Sequence, residues 1–331
     1  MGHPVWRACG RAHAADSANT RLVTPQSPYD PATRSLARER GSVCFTDEGE
    51  SPRAGDALVL IHGLPGSVRD YRWLESALRA HEGAPPLRVV RLDMPGLGGT
   101  AVELAEGKHD VRSRAAFVLD TLDALGIGRA VLVGHSMGGG VALAAAAEAQ
   151  RRHNNAPRGS REQSGTGERE QCAVVGLGLL ASVGTHPHKG YLRMPSPRPA
   201  GLLLKVPVLS KLLHQPIYDS FVRSGFPKST PVSECVQSLR CVAALRFPHL
   251  AEAAQELSLR PLPTLVAYAD DDPLVEPEVG AQLTELLGAE ELRFAEGGHN
   301  IQKTQAVELA EGLHGLAARA FGVPKELRQL A

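Results

Sequence analysis

Short apolar runs alternate with longer segments of helical periodicity along most of this chain. Residues 42–46 suggest an opening strand, and near-continuous apolar runs follow at 58–62, 88–92, 130–134, 173–180 and 264–268, with a last candidate at 291–294. Such runs are typical of strands covered on both faces. Segments 112–125, 141–150 and 279–287 are helix candidates, the first with apolar residues every three or four positions. This alternation predicts an α/β fold, with helices on both faces of a mostly parallel sheet.

Two segments interrupt the alternation. Residues 151–171 contain no Leu, Ile, Val, Phe or Met, so they cannot bury enough apolar surface to order themselves, and we expect a flexible surface insertion. Residues 183–260, which we call the lid segment, are too long for a plain crossover and have an apolar interior with many prolines. We expect the lid segment to be mostly helical and to lie over the edge of the sheet.

Composition limits the classes of protein to which the sequence can belong. The 331 residues include 36 Lys or Arg and 36 Asp or Glu, and this balance gives no reason to expect a nucleic-acid partner. No run approaches the roughly 18 apolar residues of a membrane-spanning helix. The five cysteines are odd in number and form no C-x-x-C pair, which argues against a disulfide framework or a zinc site and favours a cytoplasmic location.

The first 40 residues have a composition of their own. They lack the apolar stretch of a secretory signal and contain six arginines against three acidic residues. A disordered tail has this character, and so does a targeting segment for the mitochondrion or a plastid. Both alternatives stay open, and we expect the folded core to occupy residues 41–182 and 261–325, on either side of the lid segment.

The stretch GHSMG lies where the strand pattern of 130–134 changes to the helix pattern of 141–150. A catalytic serine needs an exposed hydroxyl with free backbone N–H groups beside it, and a sharp strand-to-helix turn provides both. Gly134 and Gly138 remove Cβ atoms that would clash in such a turn. Ser136 is therefore the candidate nucleophile, and the alternative is a helix N-cap between generic turn glycines.

The loop HGLPGS directly follows the strand candidate 58–62. A tetrahedral intermediate of acyl transfer carries an oxyanion, which needs hydrogen-bond donors that are already in place. We expect the backbone N–H of Met137, next to the candidate nucleophile, to be one donor and that of Leu64 to be the other. The alternative for this loop is a plain Gly/Pro turn.

Two later loops supply a candidate acid and a candidate base. Three consecutive aspartates follow the strand 264–268, and a carboxylate there can orient a histidine and stabilise its imidazolium form. Asp272 is preferred because Pro-Leu-Val follows it, while Asp270 and Asp271 stay open. His299 lies in a glycine-containing loop after the last strand candidate, and the chain order Ser136, Asp272, His299 is the order expected for this arrangement.

In this order the motifs resemble those of α/β-hydrolase-fold serine hydrolases. The resemblance covers residues 41–322 and rests on HGLPGS, LDMPGLGGT, GHSMGG, ADDDPLV and GGHN. It implies that Ser136 is the nucleophile, His299 the base and Asp272 the acid that orients the base. It also implies that Leu64 and Met137 donate to the oxyanion. It also implies a helical lid inserted after the sixth strand, which matches the lid segment.

One detail separates this chain from some members of that superfamily. His-Gly-x-Pro is similar to the corresponding turn of epoxide hydrolases and haloalkane dehalogenases, which place Asp at the nucleophile position. Ser136 stands there in this sequence, so acyl chemistry is favoured. Asp93, in the LDMPGLGGT loop, is common in the superfamily, and we expect it to hold a turn rather than to take part in catalysis.

The sequence therefore predicts a serine hydrolase that needs no cofactor and no metal and cleaves carboxylic esters of small hydrophobic or lipid-like acyl substrates. The alternatives are a serine peptidase or carbon–carbon bond hydrolase on the same fold, and a non-catalytic ligand-binding protein. Residues 182–228 contain seven basic residues and one acidic residue, Asp219. This charge predicts either weak contact of the lid with a membrane or lipid surface, or a solvated outer face.

Overall fold

The computed structural model describes residues 22–23, 33–38, 41–81, 84–101, 108–155, 171–194 and 197–322. Within these ranges nine strands form a single sheet. The strands are β1 (Leu22–Val23), β2 (Thr33–Arg38), β3 (Gly41–Glu48), β4 (Asp56–Ile61), β5 (Val89–Leu92), β6 (Arg129–His135), β7 (Ala173–Leu180), β8 (Thr264–Ala269) and β9 (Glu290–Phe294).

The sheet has the order β1-β2-β3-β5-β4-β6-β7-β8-β9. The neighbours from β1 to β5 in this order pair antiparallel, and those from β5 to β9 pair in parallel. The predicted α/β fold with a mostly parallel sheet is confirmed. Because parallel strands end at the same edge, the loops after β4, β6, β8 and β9 meet at the carboxyl edge of the sheet.

Helices connect the strands. They are α1 (Arg72–Ala80), α2 (Val111–Ala124), α3 (Met137–Asn155), α4 (Lys189–Leu192), α5 (Pro197–Leu203), α6 (Pro207–Arg223), α7 (Val232–Ala244), α8 (Phe247–Leu259), α9 (Pro277–Leu287), α10 (Ile301–Thr304) and α11 (Ala306–Phe321), with a 3₁₀ turn at Val68–Tyr71. Among the described residues, no helix is both long enough and apolar enough to cross a bilayer.

Two apolar cores lie on opposite faces of the sheet. Side chains of α2, α3, α8 and α9 form one core, and side chains of α1 and α11 form the other. Strand β4 is continuously apolar after Asp56: Val59 and Ile61 belong to the first core, whereas Leu58 and Leu60 belong to the second. Successive side chains of a strand point to opposite faces, so a strand that is covered on both sides favours apolar residues at successive positions.

The N-terminal region differs in part from the tail expected over residues 1–40. Strand β2 pairs antiparallel with β3, with Leu36 opposite Val43, and Leu36 is fully buried. A lone leucine among polar residues gives no strand periodicity, so only the pairing with β3 identifies this strand. Residues 1–21, 24–32 and 39–40 lie outside the described residues, and the disordered and targeting alternatives for them stay predictions.

Helix α3 extends into the segment expected to be a flexible insertion at 151–171. It continues to Asn155, with Arg151 paired to Glu256 at 2.6 Å and Arg152 paired to Asp120 at 3.2 Å. The last turn of α3 thus forms ion pairs with α8 and α2. It contains no apolar residue, so the sequence pattern does not predict that the helix continues here. Residues 156–170 lie outside the described residues, so the insertion itself stays a prediction.

The lid segment lies between β7 and β8 and is mostly helical. It follows the seventh strand in chain order, whereas the resemblance implied a lid after the sixth. Helices α5, α6 and α7 surround a small core of their own, formed by Leu204, Ile217, Phe221, Cys235 and Val236. Helix α8 instead packs with α3 in the main core, so the last part of residues 183–260 belongs to the body of the protein.

Candidate active site

Ser136 occupies the turn between β6 and α3. Strand β6 ends at His135 and α3 begins at Met137, so a single residue makes the change of direction. Its φ of 55° lies in the left-handed region, which side-chain-bearing residues adopt only under constraint. The Ser136 N–H donates to the carbonyl oxygen of Leu180 at 2.9 Å, which fixes the turn to the end of β7.

The glycines on either side of the serine are required by close contacts. A Cβ at Gly134 would overlap the carbonyl oxygen of Gly138, and a Cβ at Gly138 would overlap the carbonyl oxygen of Ile61 at the end of β4. Both obstacles are backbone atoms, which cannot move aside without separating α3 from the sheet. The spacing in GHSMG therefore reflects how tightly α3 starts against β4 and β6.

Three side chains that are far apart in the chain meet at this turn. Nε2 of His299 lies 2.9 Å from Oγ of Ser136, although 163 positions separate them. Nδ1 of the same ring lies 2.8 Å from Oδ2 of Asp272. A hydroxyl that is hydrogen-bonded to an imidazole, which is bonded in turn to a carboxylate, is the arrangement that activates a serine nucleophile.

The carboxylate of Asp272 is buried and oriented. Its side chain is 1 % exposed, and Oδ1 accepts hydrogen bonds from the backbone N–H groups of Leu274 at 2.8 Å and Val275 at 3.0 Å. Burial alone would raise the pKa of Asp272, but the hydrogen bond and the charge of His299, together with the two backbone donors, hold this pKa below the usual aspartate value. The group is therefore a carboxylate at neutral pH.

The other two aspartates of this loop have different partners. Asp270 forms an ion pair with Arg293 at 2.7 Å. Oδ1 of Asp271 accepts a hydrogen bond from the backbone N–H of Gly298 at 2.7 Å. Of the three candidates that the sequence offers, only Asp272 contacts the His299 ring.

His135, which the sequence analysis did not single out, contacts the loop of His299. Its Nε2 lies 2.7 Å from the carbonyl oxygen of His299. Burial, and secondarily the nearby His299, lower the pKa of His135 to about 3, so the ring is neutral at neutral pH. Since a carbonyl oxygen only accepts, Nε2 carries the proton and donates it. A histidine at the end of a strand gives no sequence signal for an acceptor 164 positions away.

The loop after β4 lies against the serine. A Cβ at Gly63 would come within 3.0 Å of the Ser136 Cβ, and the Leu64–Pro65 peptide bond that follows is cis. Ring nitrogens of His62 hold the loop: Nδ1 donates to the carbonyl oxygen of Gly63 at 2.8 Å, and Nε2 accepts from the N–H of Met94 at 3.0 Å.

The two residues expected to donate to the oxyanion follow the two residues that touch here. Leu64 comes directly after Gly63, and Met137 comes directly after Ser136. Met137 is the first residue of α3, where helix N–H groups have no partner within the helix. No turn, loop or side-chain hydrogen bond in the described ranges uses the N–H of either residue.

Asp93 holds turns, as the sequence suggests. Its Oδ1 accepts from the N–H of Val68 at 2.6 Å, and its Oδ2 accepts from the N–H of Gly99 at 2.7 Å. Burial raises the pKa of Asp93 above its usual value, although the nearby His62 and these two N–H donors lower it in part. The carboxylate thereby ties the loop after β4 to the loop after β5.

The beginning of the lid segment is attached to the loop of Asp272. The Gly190 N–H donates to the carbonyl oxygen of Leu274 at 2.7 Å, and Nδ1 of His188 lies 3.0 Å from the same oxygen. The Lys189 N–H donates to the Glu276 carboxylate at 2.8 Å. The chain thus leaves the sheet beside the candidate site before it forms α5 to α7.

The described residues contain neither a metal-binding cluster nor a disulfide. No group of three or more His, Cys, Asp or Glu side chains there is placed to hold a metal ion. Cys44, Cys172, Cys235 and Cys241 are buried and form no disulfide with one another, and Cys9 lies outside the described residues.

The match to a family model agrees with this geometry. The model described as "Alpha/beta hydrolase family" matches residues 58–311. The chain belongs to the alpha/beta hydrolase family. The matched range contains each candidate residue named above, namely Leu64, Ser136, Met137, Asp272 and His299.

The matches of this hydrolase to curated relatives cover different lengths of the chain. The chain is 42% identical over 98 residues to the dihydrolipoyllysine-residue acetyltransferase component of an acetoin cleaving system from Pseudomonas putida, which covers 30% of this chain and 25% of that protein. A longer match is 28% identical over 275 residues to 2-hydroxymuconate semialdehyde hydrolase from Pseudomonas sp. strain CF600, covering 81% of this chain and 88% of that protein. The chain thus spans only a quarter of the first relative.

Among solved structures, the hydrolase is similar to a putative aryl esterase from Burkholderia cenocepacia. The TM-score is 0.57 at 20% sequence identity, and the match covers 88% of this chain and 99% of the other. At this identity the likeness concerns the fold alone.

Proposed function

We propose that this alpha/beta hydrolase cleaves carboxylic esters whose acyl groups are small and hydrophobic or lipid-like. The observation that carries the proposal is the pair of short distances at the His299 ring, 2.9 Å to Ser136 Oγ and 2.8 Å to Asp272 Oδ2. The presence of all three groups argues against a non-catalytic, ligand-binding relative. The leucine and valine content of the lid segment favours an acyl substrate of low polarity.

In the acylation step, Oγ of Ser136 attacks the ester carbonyl while Nε2 of His299 takes the hydroxyl proton. A C–O bond forms and the carbonyl π electrons move to the oxygen, which becomes an oxyanion near the N–H groups of Leu64 and Met137. The intermediate then collapses, the bond to the alcohol breaks, and His299 returns the proton to the leaving alkoxide. Asp272 holds the Nδ1–H and stabilises the imidazolium between these events.

In the deacylation step, a water molecule replaces the alcohol. Nε2 of His299 takes one proton from the water as its oxygen attacks the acyl-enzyme carbonyl, and the same donors receive the second oxyanion. Collapse breaks the bond to Ser136 Oγ, which regains its proton from His299. The products are a carboxylic acid and an alcohol, and the enzyme returns to its starting protonation state.

The substrate in this scheme is a small molecule with an acyl chain, and the lid segment starts beside the loop of Asp272, where the Gly190 N–H donates to the Leu274 carbonyl oxygen. We include weak contact of the lid with a lipid surface in the proposal. The exposed leucines of α5 and α6 support it, and so do the exposed Lys205 between the two helices and Lys211 in α6.

A panel of p-nitrophenyl esters of increasing acyl length tests the proposal. We expect the wild type to turn over part of the panel and Ser136→Ala to lose at least about 10³-fold in kcat/KM, because the nucleophile is gone. Matching thermal unfolding curves establish that the variant is folded. Equal turnover by Ser136→Ala, or no ester hydrolysis by the wild type, contradicts the proposal.

Hydrolysis of a carbon–carbon bond is a second candidate, favoured by the long match to the Pseudomonas 2-hydroxymuconate semialdehyde hydrolase. The same Ser136, Asp272 and His299 would serve it. A direct comparison of 2-hydroxymuconate semialdehyde with the ester panel separates the two candidates. A higher kcat/KM on the semialdehyde than on every ester assigns the second one.

A further inference from the structure

The exposed apolar side chains of this protein are concentrated in one short segment. Eleven large hydrophobic residues are exposed in the described ranges, and seven of them lie between positions 192 and 212. Within this segment the most exposed are Val208 at 70 %, Leu212 at 68 % and Leu192 at 67 %. Scattered exposed leucines are ordinary on protein surfaces, whereas a contiguous group of this kind marks a contact with a partner or a membrane.

Six of these seven residues lie close together in the chain, and we call the surface that they form the apolar lid face: Leu202, Leu203, Val206, Val208, Leu209 and Leu212. Leu202 and Leu203 end α5, Val206 lies in the turn, and the other three are in the first two turns of α6. The opposite side of the same segment is already used, because Leu204, Ile217 and Phe221 fill the small core against α7. The apolar lid face therefore remains on the outside.

The charged residues within the segment that forms this face have one sign. Arg198, Lys205 and Lys211 are exposed within or beside it, and none of them forms an ion pair with a described residue. From residue 172 to residue 218 the sequence contains no Asp or Glu. A segment with exposed leucines and valines, flanked by cations without counter-charges, has the chemistry of a helix that lies in the interface of an anionic membrane.

A second copy of the chain fits this surface less well. In a two-fold dimer the same patch meets itself, so Lys205 and Lys211 of each protomer would face the same cations of the other. Like charges brought together in this way oppose the contact. An anionic lipid surface offers both an apolar layer for the leucines and negative charge for the lysines.

We propose that the apolar lid face binds the surface of anionic phospholipid bilayers. This binding deepens the proposed function, since it would bring the lid segment to lipid-like acyl substrates, but it does not require catalysis. The Ser136→Ala variant therefore measures it without hydrolysing the lipid. Failure of ester hydrolysis and failure of membrane binding can be told apart.

The experiment is co-sedimentation of full-length Ser136→Ala protein with vesicles of phosphatidylcholine alone and of equimolar phosphatidylcholine and phosphatidylglycerol. We expect binding to the anionic vesicles that weakens as salt is raised, and much weaker binding to phosphatidylcholine alone. Adding Lys205→Glu and Lys211→Glu should lower the partition coefficient at least roughly 20-fold, since each lysine near an anionic surface is worth about fivefold. Adding Val208→Ser and Leu212→Ser should lower it at least roughly 10-fold.

Matched controls carry the same changes elsewhere on the surface. Leu259→Ser with Val307→Ser removes two equally exposed apolar residues, at 79 % and 70 % exposure. Arg53→Glu with Arg260→Glu reverses two exposed charges away from α5 and α6. Both control pairs should bind anionic vesicles within about twofold of the parent, because surface changes of this kind have small effects.

Three results would overturn the proposal. One is no binding to the anionic vesicles, and another is equal binding by the lid variants and their controls. The third is concentration-dependent dimerisation in sedimentation velocity that Val208→Ser with Leu212→Ser abolishes, which would make the apolar lid face a contact between copies of this chain.

Discussion

The imidazole of His135 holds the backbone of His299, with 2.7 Å between its Nε2 and the His299 carbonyl oxygen. Two further contacts hold the chain on either side of His299: Asp271 accepts from the Gly298 N–H at 2.7 Å, and Lys303 of α10 pairs with Asp70 at 2.8 Å. The base of the proposed reaction is thus carried on a backbone fixed on both sides. The reach of Nε2 to Ser136 Oγ depends on that backbone position.

Removing the donor of His135 should slow catalysis without weakening substrate binding. His135→Met removes the N–H at similar length, whereas His135→Gln keeps an N–H near the position of Nε2. A misplacement of a reacting group by about 1 Å can cost about 10²-fold, so we expect kcat of the Met variant to fall about 10- to 100-fold at unchanged KM.

The Gln variant is the control for this first prediction, and it should recover most of the lost kcat. A purely structural role for His135 would instead lower the melting temperature of both variants and leave kcat per folded molecule unchanged. Active-site titration gives the folded fraction, and kcat and KM are then compared at that fraction.

The three neighbouring aspartates should differ sharply in their effect on turnover. Asp272→Asn leaves His299 without the acceptor that fixes its tautomer, and the corresponding change in serine proteases costs about 10⁴-fold in kcat. Asp270→Asn removes an exposed ion pair with Arg293 and should cost less than about threefold. Asp271→Asn weakens the hydrogen bond to the Gly298 N–H, and its loss of kcat should lie between those of the other two variants. Larger damage from Asp270→Asn than from Asp272→Asn contradicts the assignment.

The lid segment should lose stability as Glu234 ionises. Burial, and then the charge of Asp93, raise the pKa of Glu234 to about 7, although the Gly98 N–H favours the carboxylate. A carboxyl with a higher pKa in the folded state than in the unfolded state binds its proton more tightly when folded, so stability falls as the pH rises from about 5 to about 7. We expect this loss to be about 2 kcal/mol.

Glu234→Gln should abolish that pH dependence, because the amide does not titrate. Glu308→Gln, an exposed position on α11, is the control and should follow the wild type. Urea unfolding measures the free energy of unfolding of each protein at pH 5, 6 and 7, the range over which Glu234 ionises in the folded protein. A constant difference between the wild type and Glu234→Gln across these values contradicts the prediction.

A methyl group at Gly138 should damage the fold far more than one at a neutral glycine. Its Cβ would overlap the backbone of Ile61, so we expect a loss at the upper end of overpacking effects, about 3 kcal/mol. Gly315→Ala places its Cβ at an ordinary 3.5 Å from Arg319 in α11 and should stabilise the protein by about 0.5–1 kcal/mol. Denaturant midpoints compare the two, and equal effects would contradict the close approach described here.

The part of the site that sequence reasoning finds is the part encoded locally. Gly134 and Gly138 flank Ser136 at a change from strand to helix periodicity, so the turn is visible without knowledge of the fold. The loop of Leu64 follows a strand, and its place beside the serine follows from β4 and β6 being neighbours in a parallel sheet. Asp272 could only be preferred over its neighbours, and its contact with His299 distinguishes it in the structure.

Features that depend on distant partners are the ones that the sequence does not reveal. Strand β2 exists because Leu36 pairs across to Val43, and the last turn of α3 carries ion pairs to Asp120 and Glu256. The contact of His135 with His299 likewise needs β6 and the loop after β9 to be in place. None of these has a local periodicity or motif.

Covalent labelling with a fluorophosphonate, followed by mass spectrometry of the peptides, identifies the nucleophile of this site. We expect a single adduct on Ser136 of the wild type, slower labelling of Asp272→Asn, and no labelling of folded Ser136→Ala. An adduct on another residue, or full labelling of Ser136→Ala, would contradict this assignment.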